Sequence, residues 1–129
     1  MISRYRVSDL IADFLIEIGT RHVFILPGGG NMYLIDGLKK NKKINTIPCH
    51  HEQTTSIAAE AYTRVSQKIG VAVVTSGPGS TNAITGVVGS WIESSPLMVI
   101  SGQVKTKDLM KNNNLRQNGV QEVNIVKMI

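Results

Sequence analysis

The chain has 129 residues, 42% hydrophobic and 18% charged, which suits one globular domain with an apolar core and excludes a disordered segment. The formal charge of +5 comes without the basic stripe and interleaved aromatics of a nucleic-acid surface, so no nucleic-acid partner is expected. Cys49, the single cysteine, cannot form an internal disulfide, and His22, His50 and His51 without a Cys-x-x-Cys pair give no metal-ligand spacing, so no metal site is expected in this chain.

Residues 1–6 run straight into an amphipathic pattern, without a signal-peptide apolar core or cleavage site. No apolar run is long enough to cross a bilayer, so a cytoplasmic protein without a membrane partner is expected. Ser8 is placed to cap a helix through Leu10, Ile11, Phe14, Leu15 and Ile18, with Gly19 as its stop. His22 to Leu26 is a short apolar run of the kind buried on both faces of a sheet, cut off by Pro27-Gly28-Gly29-Gly30. Asn31 to Leu38 reads as a helix, and Lys39, Lys40, Lys42 and Lys43 as a solvated helix end and turn. Ile44 to Pro48 reads as a second strand, delivering the chain to His51 and Glu52.

A third helix spans Gln53 to Gln67, with Ile57, Ala58, Ala61, Tyr62 and Val65 at helical spacing as its apolar positions. Glu52 then sits in the first helical turn beside a strand end. That is a place for a functional carboxylate, but on position alone the favoured reading is a carboxylate held there by the helix dipole, which stabilises any anion. Gly70 to Thr75 is the clearest strand, β-branched and apolar, ending in a second glycine loop, Ser76-Gly77-Pro78-Gly79. A small-residue helix follows from Ala83 to Trp91, then a buried strand from Pro96 to Gly102. Strands alternating with helices predict an α/β domain of three layers, a mostly parallel sheet covered by helices on both faces, with ligands bound at the carboxyl ends of the strands. Both glycine loops and Glu52 fall on that edge. Residues 107–118, with Asn112-Asn113-Asn114, read as a mobile loop, and the domain is expected to lack its C-terminal strand and helix.

Familiar motifs fail one by one. Pro27 to Met32 lacks the Lys-Ser/Thr of a phosphate-binding Walker loop. Gly77-x-Gly79-x-x-Asn82 only approaches the dinucleotide fingerprint, with Asn82 at its third small position, so a nicotinamide-dependent oxidoreductase has little support. His51-Glu52-Gln53-Thr54-Thr55 puts Thr55 where a zinc protease needs its second histidine, and no Gly-x-Ser-x-Gly surrounds Ser76 or Ser80.

Five ordered stretches carry a resemblance. These are Leu26 to Gly30; His51-Glu52-Gln53 with Ala58 to Arg64; Thr75 to Asn82; Ser101-Gly102-Gln103-Val104; and Gln121-Glu122. Together they resemble the N-terminal pyrimidine-binding domain of thiamine diphosphate enzymes, most nearly acetolactate synthase and its relatives in branched-chain amino acid biosynthesis. The resemblance covers nearly the whole chain and implies the thiamine diphosphate-binding fold. It implies an enzyme that decarboxylates a 2-keto acid and transfers the resulting acyl group.

By the same resemblance Glu52 is the residue that activates the cofactor through the pyrimidine nitrogen N1′. That role needs a carboxyl group that can share a proton, which partial burial would favour. Pro78 and Asn82 would line the pyrimidine pocket, although the same pair also suits a strand-to-helix turn with an asparagine cap. Gly28 and Gly29 would form part of the rim, and Gln121 would lie near the reacting substrate. Gln103 matches a motif after the fourth strand, while Tyr62 and Arg64 read as packing and helix-surface residues. Mg2+ and the diphosphate would be held by a C-terminal domain that this chain does not contain, within a homodimer or tetramer whose active site lies between subunits. The isolated chain is then expected to be inactive, and whether FAD is bound stays open. A thiamine diphosphate-dependent decarboxylase or lyase of another pathway, such as surface-sugar synthesis, and a non-enzymatic nucleotide-binding or assembly module are the alternatives.

Overall fold

The computed structural model describes residues 5–110 and 115–129, so the predicted Asn112-Asn113-Asn114 segment and the first four residues lie outside the described residues. Four strands, β1 (His22–Ile25), β2 (Asn45–Pro48), β3 (Gly70–Val74) and β4 (Leu97–Ser101), form one parallel sheet in the order β2-β1-β3-β4. Four helices alternate with them: α1 (Val7–Glu17), α2 (Met32–Lys40), α3 (Glu52–Ser66) and α4 (Pro78–Ile92). Helices α1 and α2 pack together, as do α3 and α4. The result is the three-layer α/β fold that the alternation predicts.

The layers follow from the direction of the crossovers. The chain steps from β1 to β2 on one side and returns past β1 to β3 on the other. Right-handed connections therefore put α2 on one face and α3 and α4 on the opposite face. The register pairs Val23 with Val71 and Ile25 with Val73, so these four side chains share a face. They join Ala12, Leu15, Ile35 and Leu38 in an aliphatic core against α1 and α2. The intervening Phe24, Ala72 and Val74 face α3 and α4. Only β3 is buried along its whole length; β2 exposes Asn45 and Pro48, and β4 is half-buried throughout, as befits edge strands.

Three local expectations need correction. Helix α1 starts at Val7 rather than after Ser8, because the Asp9 carboxylate accepts from the Arg6 N–H (3.0 Å) and caps the helix at Arg6, two residues earlier; Ser8 is buried within it. Arg6 also bridges Asp9 (2.7 Å) and Asp36 (2.6 Å), tying α1 to α2. Helix α4 starts at Pro78, five residues before Ala83, because proline at the first helical position needs no N–H acceptor and has the required φ.

The third correction concerns the face of α3. Its buried residues are Glu52, Thr55, Ser56, Ala59 and Thr63, whereas the predicted apolar positions Ile57, Ala61 and Val65 are exposed, Val65 to 88%. The buried hydroxyls are all partnered. Thr55 donates to the His51 carbonyl (2.9 Å) and Ser56 to that of Glu52 (3.2 Å). Thr63 donates to the Pro96 carbonyl (2.7 Å) and accepts from Gly70 N–H (2.7 Å). Small satisfied side chains let α4 come close: a Cβ on Gly86 would lie 2.6 Å from Ser56 Cβ.

Candidate functional site

The carboxyl ends of β1 and β3 flank the topological switch point, the place where open α/β sheets bind ligands. From β1 the chain enters Leu26-Pro27-Gly28 and the short 3-10 turn Gly29–Asn31. Asn31, fully buried, fixes this loop from inside: its Oδ1 accepts from Gly28 N–H (2.8 Å) and its Nδ2 donates to the Leu26 carbonyl (2.9 Å). From β3 the chain enters Thr75-Ser76-Gly77. The two loops meet at Thr75, whose Oγ1 accepts from Gly30 N–H (3.1 Å).

Glycine is needed around Thr75 for space. A Cβ on Gly28 would lie 2.6 Å from Thr75 Cβ, and one on Gly79 would lie 2.6 Å from Thr75 Cγ2 and 3.3 Å from Glu52 Oε1. Gly77 is required for another reason: its φ of +61° is a left-handed conformation that a residue with a Cβ adopts only under strain.

Strand β2 reaches the same edge through Cys49, whose N–H donates to the Ile25 carbonyl (2.9 Å), and His51 then caps α3 by accepting from Gln53 N–H (3.1 Å). Glu52 is therefore the first residue of α3 and is only 9% exposed. Its Oε2 accepts from Asn82 Nδ2 (3.1 Å), and among the described residues no donor reaches Oε1. Because α4 starts at Pro78, Asn82 lies in its second turn. It therefore caps nothing and spends its amide on Glu52.

The structure brings Glu52, Asn82 and the Gly77–Gly79 turn together, with Gly28 one layer away across Thr75. Pro78 is exposed at the start of α4, and Gly29 is exposed with nothing within 4 Å of where its Cβ would be, leaving an open rim. Gln121 also reaches this edge: its Cβ lies 2.8 Å from where a Cβ on Gly77 would sit, and its own φ is +55°. Gln103 turns away instead, donating to the Val123 carbonyl (2.9 Å). Tyr62 packs beside His22 and Phe24, with ring centroids 5.3 Å and 6.0 Å away, and Arg64 pairs with Glu60 on the surface.

Sequence reasoning passed over Thr75 and Asn31. The available signals were a threonine ending a valine-rich strand and an asparagine closing a glycine run, both ordinary in turns. A carboxylate almost removed from water, with one oxygen committed to an amide and the other uncommitted, can hold the N–H of a heteroaromatic ring and share its proton. An uncommitted carboxyl oxygen placed in this way fits a ring nitrogen of an aminopyrimidine.

The family model described as thiamine pyrophosphate enzyme, N-terminal TPP binding domain, matches residues 5–128. An acetolactate synthase large subunit from Buchnera aphidicola is 43% identical over 97 residues, 75% of this chain and 17% of the relative. The Lactococcus lactis acetolactate synthase large subunit gives the same identity and coverage, 43%, 75% and 17%. The large subunit of acetolactate synthase isozyme 3 from Escherichia coli is 39% identical over 99 residues, 77% of this chain and 17% of the relative. The chain thus matches well under a fifth of the length of these curated relatives. With nearly every residue inside the family match, the chain belongs to the N-terminal TPP-binding domain family of thiamine pyrophosphate enzymes.

Proposed function

We propose that this chain is the pyrimidine-binding half of the active site of an acetolactate synthase-like enzyme that decarboxylates a 2-keto acid such as pyruvate and transfers the acyl group. The observation that carries the reading is the Glu52 carboxylate, 9% exposed at the switch point, one oxygen held by Asn82 and the other without a donor among the described residues. Bound thiamine diphosphate would supply the carbon nucleophile. Glu52 would receive the N1′ edge of its pyrimidine and hold the shared proton, Asn82 would fix the carboxylate, and the Gly77–Gly79 turn would let backbone approach the ring.

The diphosphate and its Mg2+ are proposed to bind a second domain, supplied across a subunit interface, so that the isolated chain is inactive. The apolar side chains exposed on α3 and α4, among them Ile57, Val65, Val88, Trp91 (85%) and Ile92, support a covering partner there. The test is pyruvate carboligation by the full-length gene product, with thiamine diphosphate and Mg2+, against its Glu52→Gln variant. The variant is expected to lose about a hundredfold or more, the scale of a positioned acid-base group. Equal activity of the two proteins refutes the assignment.

A further inference from the structure

Glu122 is engaged in a way the proposed chemistry leaves unexplained. Its Oε1 accepts from Met110 N–H (2.6 Å), and its Oε2 accepts from Asn118 N–H (3.1 Å) and Gly119 N–H (3.0 Å). These three donors, Met110 foremost, hold its carboxyl below the usual glutamate range. None of the described residues after β4 joins the sheet, and one carboxylate satisfies N–H groups from two separate stretches of chain. Gly119 is buried against Val104, where a Cβ would lie 2.6 Å from Val104 Cγ1, so the clamped chain is folded back onto the stretch that leaves β4.

The residue beside the clamp is Gln121. Its left-handed φ of +55° is uncommon for a residue with a side chain and persists where the surroundings over-determine it. What surrounds it is the Gly77 turn on one side and the Glu122 clamp on the other. Were the clamp released, the backbone at 121 would relax toward φ below zero and the side chain would leave the rim.

We propose that Glu122 is a positioning residue, its ionised carboxylate clamping the 110 and 118–119 backbone so that Gln121 is held against the Gly77 turn and presented to the substrate. This rests on the proposed function, because the substrate-facing role of Gln121 comes from that reading. The chemistry specifies the residue type. A glutamine at 122 converts one acceptor oxygen into an NH2 group facing a backbone donor, so the nearly isosteric change breaks at least one side of the clamp.

The experiment uses the full-length gene product with Glu122→Gln, Glu122→Ala, Gln121→Ala and the Glu122→Gln/Gln121→Ala pair. Amide exchange is read at Met110, Asn118 and Gly119, and pyruvate kinetics and cofactor affinity are measured alongside. Exchange is expected to rise about tenfold or more at all three amides in Glu122→Ala, and on at least one side of the clamp, Met110 or Asn118 with Gly119, in Glu122→Gln, the scale of a lost hydrogen bond to a charged group, with β3 amides unchanged. With the fold thus shown intact, kcat/KM should fall about tenfold or more in Glu122→Gln with cofactor affinity unchanged. The pair should be no worse than Gln121→Ala alone, because Glu122 acts through Gln121.

Unchanged exchange in both Glu122 variants overturns the clamp, and additive losses in the pair overturn the positioning role. If Gln121→Ala is silent while exchange rises, the positioning role fails although the clamp is real. If Glu52→Gln is silent, the proposed function fails, and the exchange data still judge the clamp by themselves.

Discussion

Replacing Asn31 by alanine removes the internal brace of the β1 loop, and its cost can be worked from two contacts. Gly28 N–H loses its acceptor at 2.8 Å and the Leu26 carbonyl its donor at 2.9 Å, and neither backbone group has another partner among the described residues. Leaving a polar group unsatisfied costs about 1–3 kcal/mol when buried. Leu26 and Gly28 are only half-buried, so water can partly compensate, and about 2–3 kcal/mol for the pair is the consistent figure. Two kilocalories correspond to about thirtyfold in the local opening equilibrium. The assay is amide exchange at Gly28 in wild type, Asn31→Ala and Asn31→Asp. The aspartate keeps the acceptor for Gly28 but turns an oxygen toward the Leu26 carbonyl, so it should protect Gly28 better than alanine while still lowering the melting temperature. Exchange at Gly28 within about twofold of wild type in Asn31→Ala, with global stability changed by less than about 0.5 kcal/mol, would refute the brace.

Gly79→Ala should cost about 1–3 kcal/mol through overpacking, because the new methyl meets Thr75 Cγ2 at 2.6 Å and Thr75 is pinned by Gly30. Thermal unfolding reads that cost, and weakened thiamine diphosphate binding reads the accompanying push on Glu52 Oε1; a wild-type melting temperature counts against the geometry. Acid sensitivity at the start of α1 follows from Asp9, whose pKa is lowered from 3.8 to about 2, mainly by its hydrogen bonds from the Arg6 side chain and backbone. A depressed carboxylate contributes stability that is fully present above its unfolded value and is lost as pH falls from 3.8 toward 2. Asp9→Asn should therefore flatten that part of an acid titration followed by circular dichroism, and superimposable curves for the two proteins would remove Arg6 and Asp9 from the account.

The layered fold was legible because β1, β3 and β4 are announced by apolar runs with glycine or proline close behind, while β2, Asn45–Pro48, is marked only by Ile44 and Ile47 before its proline. Gly70 to Val74 carries four consecutive apolar residues that are all fully buried, so pattern and burial agree there. The boundary of α4 was misplaced because Pro78 was read as part of a turn, whereas a proline at the first helical position begins a helix without loss. The buried face of α3 was missed for a different reason. Periodicity counts Thr55, Ser56 and Thr63 as polar, yet each hydroxyl donates to a carbonyl of its own helix or of Pro96 and enters the interior satisfied. Hydrophobicity along the chain contains no term for that local bonding.

The misread face is what builds the site. Had α3 buried Ile57 and Val65 against its neighbour, the bulk of those side chains would have held α4 away. With Ser56 against Gly86 instead, the two helices come close enough for Asn82, in the second turn of α4, to reach the first residue of α3. The same choice leaves the aliphatic side chains of α3 and α4 facing outward. The close helix pair that delivers Asn82 to Glu52 is thus also the source of the exposed apolar surface, including Trp91, that supports a partner in the proposed function. Enlarging Gly86 would separate these consequences: Gly86→Ala should lengthen the Asn82–Glu52 contact and weaken cofactor binding while leaving Trp91 exposed, so a loss of cofactor affinity with unchanged subunit association would assign the two effects to different faces of one helix pair.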